Sequence, residues 1–407
     1  MLDQPFTLPC GVTIPNRLVK SAMTERLTNA NGKPNAQHFL LYDRWANTKT
    51  GLLITGNVMV DPHHMESAGN VIMRESILPE LQQWAKAGLK HGNQLWVQIS
   101  HSGRQTTRLV NMKPKSASDV QLKKAGFFGR PSPMNAADIE KVIEGFINAA
   151  KLCQQAGFTG VQIHSAHGYL LSQFLSPRTN RRTDEWGGSL ENRSRLLLTI
   201  IRGVREAVGP NYPISVKLNS ADFQRGGFTE EESLQVIKML AAEKIDLLEI
   251  SGGTYEKIAF FERYGPDGEL ARESTRQREA YFIDFAQKVR QATQLPIVVT
   301  GGIRSYDFCE EVLTSGAVDF IGMARPFILD HESIEGFIQG KTPQLKDITL
   351  PDGPRIVKDF AEGGYYAREL IRLAKGKSVD LNTSLFLNTN FMVWHELTKA
   401  MRKRFGR

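Results

Sequence analysis

Residues Gly160–Arg193 read GVQIHSAHGYLLSQFLSPRTNRRTDEWGGSLENR. The stretch opens as a short apolar strand, Val161-Gln162-Ile163, and delivers His164, His167 and Tyr169 within six residues. A loop rich in Arg, Asn, Asp and Gly follows, and then an amphipathic helical pattern from about Leu190 to Val208. A strand that feeds a polar loop and then a helix is one unit of an α/β fold. Two imidazoles and a phenol just past its strand end can donate hydrogen bonds and transfer a proton.

The same unit recurs along the chain. Apolar, β-branched runs occur at Arg17–Ala22, Leu52–Val58, Leu95–Ile99 and Gly160–His164, and again at Ile214–Leu218, Leu247–Ile250, Ile297–Thr300 and Phe320–Met323. They read as continuous apolar stretches, as strands covered on both faces do. Helical patterns between them run at about Ala36–Thr48, Ile77–His91, Ala136–Ala156, Leu190–Val208, Thr229–Glu243, Gln277–Thr293 and Asp307–Ser315. Thr229 ahead of Glu232 forms a capping signal, and Gly92, Gly157, Gly209 and Gly316 mark stops. Eight such units predict a (β/α)8 TIM barrel over residues 1–340, with chemistry at the C-terminal ends of the strands. A doubly wound open sheet is the competing topology, but no GxGxxG follows an early strand.

Residues 341–407 leave this rhythm and form a C-terminal helical extension with patterns at Arg355–Lys375 and Ser384–Arg404. Leu385, Phe386, Met392, Trp394, Leu397 and Met401 are the candidate apolar face of the last helix, expected to pack on the barrel or on a neighbouring subunit of a homo-oligomer.

Composition narrows the class. Hydrophobic content of 41% and charged content of 23% are ordinary for a globular protein. No apolar run approaches the ~18 residues of a membrane span, and the N-terminus lacks signal-peptide character, so the expected compartment is the cytoplasm. Cys10, Cys153 and Cys309 are far apart and form no CxxC, which speaks against a disulfide framework or a zinc site. Net charge is +8, with a basic cluster from Lys399 to Arg407. Without a nucleic-acid motif beside it, the charge reads as a solvated tail and a face favouring phosphorylated cofactors.

Further motifs stand at successive strand ends: NRLVKSAMT (Asn16–Thr24), LLITGNVMV, LWVQISHSGR, ISVKLN, VVTGGIRS and IGMARPFI. Taken in order with the opening stretch, they resemble the Old Yellow Enzyme family of FMN-dependent ene-reductases over about residues 5–335. The resemblance implies FMN as cofactor, NADH or NADPH as reductant and an activated alkene as substrate. Ser21, Ala22, Met23 and Thr24 match the flavin-contacting turn after the first strand, with Thr24 beside the flavin O4 and N5 edge. Gly56 and Gln98 match the second and third strand ends.

Gln98 offers amide contacts to the flavin pyrimidine, and Lys217 offers positive charge near N1 and O2, where reduction leaves negative charge. The family often carries Arg at the Lys217 position; Lys retains the charge but not the planar fork. Gly301 and Gly302, with Ala324 and Arg325, follow the last two strands, where barrels of this type place a phosphate. Arg325 would add a charged fork there. His164 and His167 match the pair that binds the carbonyl or nitro oxygen, and Tyr169 the acid for the α-carbon. Some relatives place a substrate-contacting Tyr where this chain has Arg26.

One branch of that family, the 2,4-dienoyl-CoA reductases, adds an iron–sulfur cluster and a second flavin domain. No Cys follows Cys309, and that ligand run is excluded by count. The expectation is a single-barrel form in which the nicotinamide reduces FMN directly. The arginines Arg178, Arg181, Arg182 and Arg193 face Asp184, Glu185 and Glu191 in an expected structural ion-pair network. The segments Ser251–Gly265 and Lys123–Met134 are the expected substrate-facing loops. A different enzyme class also accounts for one residue: a Schiff-base aldolase using Lys217 as nucleophile. That reading leaves His164, His167, Tyr169, Gln98 and the glycine–arginine pair unexplained together. A non-enzymatic flavin-binding protein is the third reading.

Overall fold

β-branched side chains fit a pleated, covered surface, and each of the eight apolar runs is a parallel strand. The computed structural model describes residues 1–123, 126–254, 271–381 and 383–405. The strands are β1 (Leu18–Lys20), β2 (Leu52–Met59), β3 (Gln94–Ser100) and β4 (Gly160–Ser165), followed by β5 (Ile214–Asn219), β6 (Leu247–Ser251), β7 (Ile297–Thr300) and β8 (Phe320–Met323). Each pairs with the next, and β8 returns to β1 through Ile321↔Leu18 and Gly322↔Val19. The sheet is therefore a closed barrel, and the open-sheet alternative falls.

The outer helices are α1 (Ala36–Ala46), α2 (Leu78–Gly88), α3 (Ala136–Ala156), α4 (Leu190–Val208), α5 (Glu230–Ala242), α6 (Ala271–Ala292) and α7 (Tyr306–Thr314). Thr229 and Glu232 form the expected capping box, and Asn35 and Asn135 form two more. Each such cap supplies about 1 kcal/mol. Gly157 closes α3 at φ 89°, in the left-handed region that glycine enters without a Cβ clash. Gly92 is not a cap, because α2 already ends at Gly88.

The reading of the strands as continuously apolar needs correction. At the floor, Val19, Leu52, Ile54, Trp96, Leu247 and Phe320 pack together under the hairpin Phe6–Thr7/Thr13–Ile14. Gly160 leaves room there for the Trp96 indole, into which a Cβ would collide. Two residues further along the strands stand buried Gln98, Gln162, Lys217 and Glu249 and half-buried Thr300, linked by hydrogen bonds in a chain. The alternation VQIH, VKLN and LEIS sends aliphatic residues outward to the helices and polar residues inward.

The C-terminal helices α8 (Arg355–Ala374) and α9 (Leu385–Phe405) pack closely on each other, Gly364 allowing contact with the Asn388 backbone. The expected apolar face of α9 is covered only in part: Leu385, Met392 and Leu397 are half-buried. Phe386 and Trp394 are 82% and 63% exposed, and Met401 is exposed as well. The docked side mixes apolar and polar contacts: Phe391 packs against the core, Glu396 meets Arg26 Nε at 3.0 Å and Ser67 Oγ at 2.8 Å, and Lys399 donates to the carbonyls of Leu27 and Thr28. Hydrogen bonds to loop backbone and apolar packing thus both orient this helix. Among the described residues no helix is long and apolar enough to cross a membrane.

Candidate active site

The residues singled out by sequence converge on the C-terminal end of the barrel. His164 lies in β4, and Tyr169 is the N-cap of the short helix Leu170–Leu175. The His164 ring lies 4.7 Å from Tyr169 and 5.2 Å from His167, edge to face in both cases. His164 Nδ1 accepts from the Ala166 amide at 3.2 Å, so its Nε2 carries the proton and is a donor. His167 is held at φ 59°, its amide donating to Asn219 Oδ1 at 3.0 Å and its Nε2 lying 2.5 Å from Ser251 Oγ. Burial pushes both imidazoles well below the ordinary histidine range; His167 and Lys217 add to this at His164, and Lys217 at His167. Both are therefore neutral hydrogen-bonding groups.

Lys217 is not a free amine. Its Nζ donates to Glu249 Oε1 at 2.9 Å, with both residues buried. This pairing removes the free nucleophile that the Schiff-base reading requires. Burial acts to raise the Glu249 carboxyl, but the Lys217 charge and bonds from Lys217, Thr300 and Gln162 outweigh it and hold the group below its usual range. Gln98 Nε2 donates to Gln162 Oε1 at 2.6 Å, and Gln162 passes the contact on to Glu249 Oε2 at 2.8 Å. Glu249 and Gln162 were missed in the sequence; each is a lone polar residue inside an apolar run.

A second buried lysine was also missed. Lys20 Nζ donates to the Ile54 carbonyl at 2.6 Å and lies 4.3 Å from the Trp45 ring. Burial brings its ammonium down to about 7 against the opposing pull of Glu25 and Glu249.

The cofactor-binding candidates ring the same mouth. Ser21 Oγ lies 2.8 Å from Thr300 Oγ1, a contact that requires glycine at 322 because a Cβ there would collide with both hydroxyls. Ala22 and Met23 follow in the turn after β1 and are half-buried. Gly56 sits inside β2 rather than at its end, and its amide donates to Glu25 Oε1 at 2.8 Å, so that N–H serves the scaffold. Thr24 Oγ1 donates to Glu66. With its one proton committed, the hydroxyl offers acceptor capacity toward a cofactor. Glu66 also accepts from Tyr169 OH and from Asn57 Nδ2 at 2.7 Å.

Opposite, Gly302 takes φ 64°, and a Cβ on Gly301 would meet nothing nearer than the Phe282 ring at 4.0 Å. This is an open backbone cradle at the end of β7. Ala324 and Arg325 follow β8, and the Arg325 guanidinium meets Glu362 of α8 at 3.0 Å and lies 5.0 Å from the Tyr366 ring. A cradle beside a partly exposed guanidinium fits a phosphate. A buried amide chain with an ammonium fits a planar heterocycle with carbonyl and ring-nitrogen edges. The donor set therefore fits FMN.

The remaining expectations divide. In the arginine-rich loop, Arg182 pairs with Asp184, but buried Arg193 reaches past the loop to Glu232 and donates to the Leu175 carbonyl. Arg26 points to Glu396 on α9. In the loop Lys123–Met134, Phe127 lies 6.0 Å from Phe360 of α8. Most of the loop Ser251–Gly265 lies outside the described residues.

Asp61, His64 and His101 place ligand-type atoms within 4.8 Å of one another. His64 Nε2 accepts from the Lys115 amide at 2.8 Å and His101 Nδ1 from the Gly103 amide at 3.1 Å. Each ring therefore carries its proton on the nitrogen that faces the cluster. A metal there would require imidazolates, so the cluster reads as a buttress.

Comparison with known proteins follows the same lines. A family model described as the NADH:flavin oxidoreductase / NADH oxidase family matches residues 1–341. The NADH-dependent flavin oxidoreductase iliE of Hypocrea jecorina (strain QM6a) is 36% identical over 345 residues, 79% of this chain and 85% of that protein. A solved complex of 2-naphthoyl-CoA reductase with 2-naphthoyl-CoA gives a TM-score of 0.76 at 27% identity, over 84% of this chain and 52% of that one. An old yellow enzyme homologue from Zymomonas mobilis gives 0.71 at 22% identity, over 85% and 95%, and supports the fold.

Proposed function

The chain belongs to the NADH:flavin oxidoreductase / NADH oxidase family, and on that premise we propose that this FMN-dependent NAD(P)H oxidoreductase reduces activated C=C bonds in enones and nitroalkenes. The observation that carries the substrate class is the junction of His164, His167 and Tyr169, two neutral imidazoles and a phenol packed ring against ring at the barrel mouth. We assign the chemistry to residues 1–340 and treat residues 341–407 as a cover over the loops of that mouth.

FMN, when bound, supplies the two-electron store between the nicotinamide and the alkene. Gly301, Gly302, Ala324 and Arg325 would hold its phosphate. Ser21, Ala22, Met23, Thr24 and Gly56 would line one edge, and Gln98 and Lys217 would meet the pyrimidine. The His164 Nε2–H, with His167 beside it, binds the substrate's carbonyl or nitro oxygen. Neutral donors stabilise the negative charge that develops on that oxygen, and their burial strengthens the interaction. Tyr169 delivers a proton to the α-carbon, a role typically worth 10²- to 10⁴-fold in rate.

An anaerobic absorbance titration tests the reading. Flavin bands that bleach with NADH or NADPH and return with 2-cyclohexenone are expected. Bands that bleach and stay bleached with both enones and nitroalkenes would remove the alkene assignment.

A further inference from the structure

Glu66 belongs to a loop, between β2 and the short strand Val71–Ile72, that no sequence motif marks. Its carboxylate nevertheless joins two of the site's own groups. One oxygen accepts from Thr24 Oγ1, and the other accepts from Tyr169 OH and from Asn57 Nδ2 at 2.7 Å. The position is graded between phases: Tyr169 is 4% exposed, whereas Glu66 is half-buried. The loop is anchored from outside, since Ser67 Oγ donates to Glu396 of α9 at 2.8 Å.

A phenol that gives up its proton beside a carboxylate would leave two anions in contact, which is strongly unfavourable. We propose that Glu66 is the proton-relay partner of Tyr169, carrying protons from solvent to the phenol. The inference rests on the reading of Tyr169 as the acid. Before transfer, Glu66 is a carboxylic acid that donates to the Tyr169 oxygen. The substrate enolate left by hydride addition supplies the electron pair for the new Cα–H bond. As the Tyr169 O–H bond breaks toward that carbon, the Glu66 O–H bond breaks and a new Tyr169 O–H bond forms. The phenol stays neutral throughout, Glu66 ends as a carboxylate that accepts from Tyr169 OH, the arrangement of the structure, and a proton taken up from solvent restores the acid. Asn57 and Thr24 hold the two oxygens so that one faces the phenol.

The test is single-turnover reoxidation of the reduced holoenzyme by 2-cyclohexenone in mixtures of H2O and D2O. With two protons in flight, the wild-type rate falls along a bowed curve as deuterium rises. Glu66→Gln is expected to slow this step by at least ~10-fold, within the range of general acid catalysis, and to make the curve linear. The double variant E66Q/Y169F is expected to be no slower than Y169F. Wild-type speed with a bowed curve in E66Q, or a double variant slowed by the product of the two single effects, would overturn the relay. A crystal structure of E66Q supplies a readout independent of rate. Tyr169 in its original position supports the relay; a displaced ring assigns the slowing to positioning and overturns it. If Y169F is slow and E66Q is not, the relay alone fails. If Y169F is also unslowed, the reading of Tyr169 as acid fails and the relay with it.

Discussion

On the floor of the barrel the interior residues of β3, β6 and β7 are Trp96, Leu247 and Val298; two residues along, the same strands present Gln98, Glu249 and Thr300. The lower layer, Gln98 and Glu249 are almost wholly buried, and Thr300 is half-buried. The lower layer is stabilised by removal of apolar area from water, at about 25 cal/mol per Å². The upper layer gains nothing of that kind. Its charges and amides carry a desolvation cost that mutual hydrogen bonds offset only while every partner is present. The comparison teaches where stability and recognition separate along a strand: one step of the alternation divides the part that holds the barrel closed from the part that can read a ligand.

Cutting the upper network at its centre should break the comparison most severely. Glu249→Leu leaves Lys217 buried without its carboxylate and is expected to cost about 3–5 kcal/mol in urea unfolding. Adding Lys217→Met should recover most of that stability while FMN retention stays weak. Trp96→Ala should cost a similar ~3–5 kcal/mol, yet its folded fraction should retain FMN. Recovery of FMN retention in the Glu249→Leu/Lys217→Met pair would erase the distinction between layers.

Acid offers a second probe. Burial brings His38 down to about 3 and leaves His101, His164 and His167 well below the usual range. Below pH ~6.5 the unfolded chain takes up protons that these folded imidazoles refuse. The stability they confer is therefore complete above that pH and is lost as pH falls, by about 1.4 kcal/mol per unit for each histidine. Replacing His164 and His167 together by Asn should lower the slope contributed by these four groups by about half, as thermal unfolding at pH 5 to 7 would measure. An unchanged slope would show that the site histidines already take up protons in the fold.

The smallest expected effect concerns the rim. Glu362 meets the Arg325 guanidinium that would otherwise be offered to phosphate. Glu362→Gln should tighten FMN by about two- to fivefold, the scale of a partly exposed ion pair, as read by fluorescence titration of the apoprotein. Weaker binding would mean that Glu362 orients Arg325 instead of competing for it.

The barrel was legible because its strands and helices each carry a local signal, and β7 and β8 fall on their expected bounds. His164, His167 and Tyr169 were legible because they are close in sequence. Glu249 and Gln162 were hidden by the aliphatic residues on either side, although LEIS and VQIH carry the inward–outward alternation. Lys20 stood unmarked inside the first strand run, since its setting depends on Ile54 and Trp45 from other segments. Glu66 had no local signal, since its meaning comes from Thr24 and Tyr169, 42 and 103 residues away. The last helix was legible only in part for a related reason: polar contacts to distant loop carbonyls share in docking it, and Phe386, Trp394 and Met401 stay exposed.

The most direct test of the account follows reoxidation of the reduced Tyr169→Phe protein by 2-cyclohexenone in a stopped-flow instrument under anaerobic conditions. The account predicts a rate about 10²-fold or more below wild type, the loss of one well-placed acid. Reoxidation at the wild-type rate would contradict it, and would leave the ring cluster at the barrel mouth without the protonation role on which the substrate assignment rests.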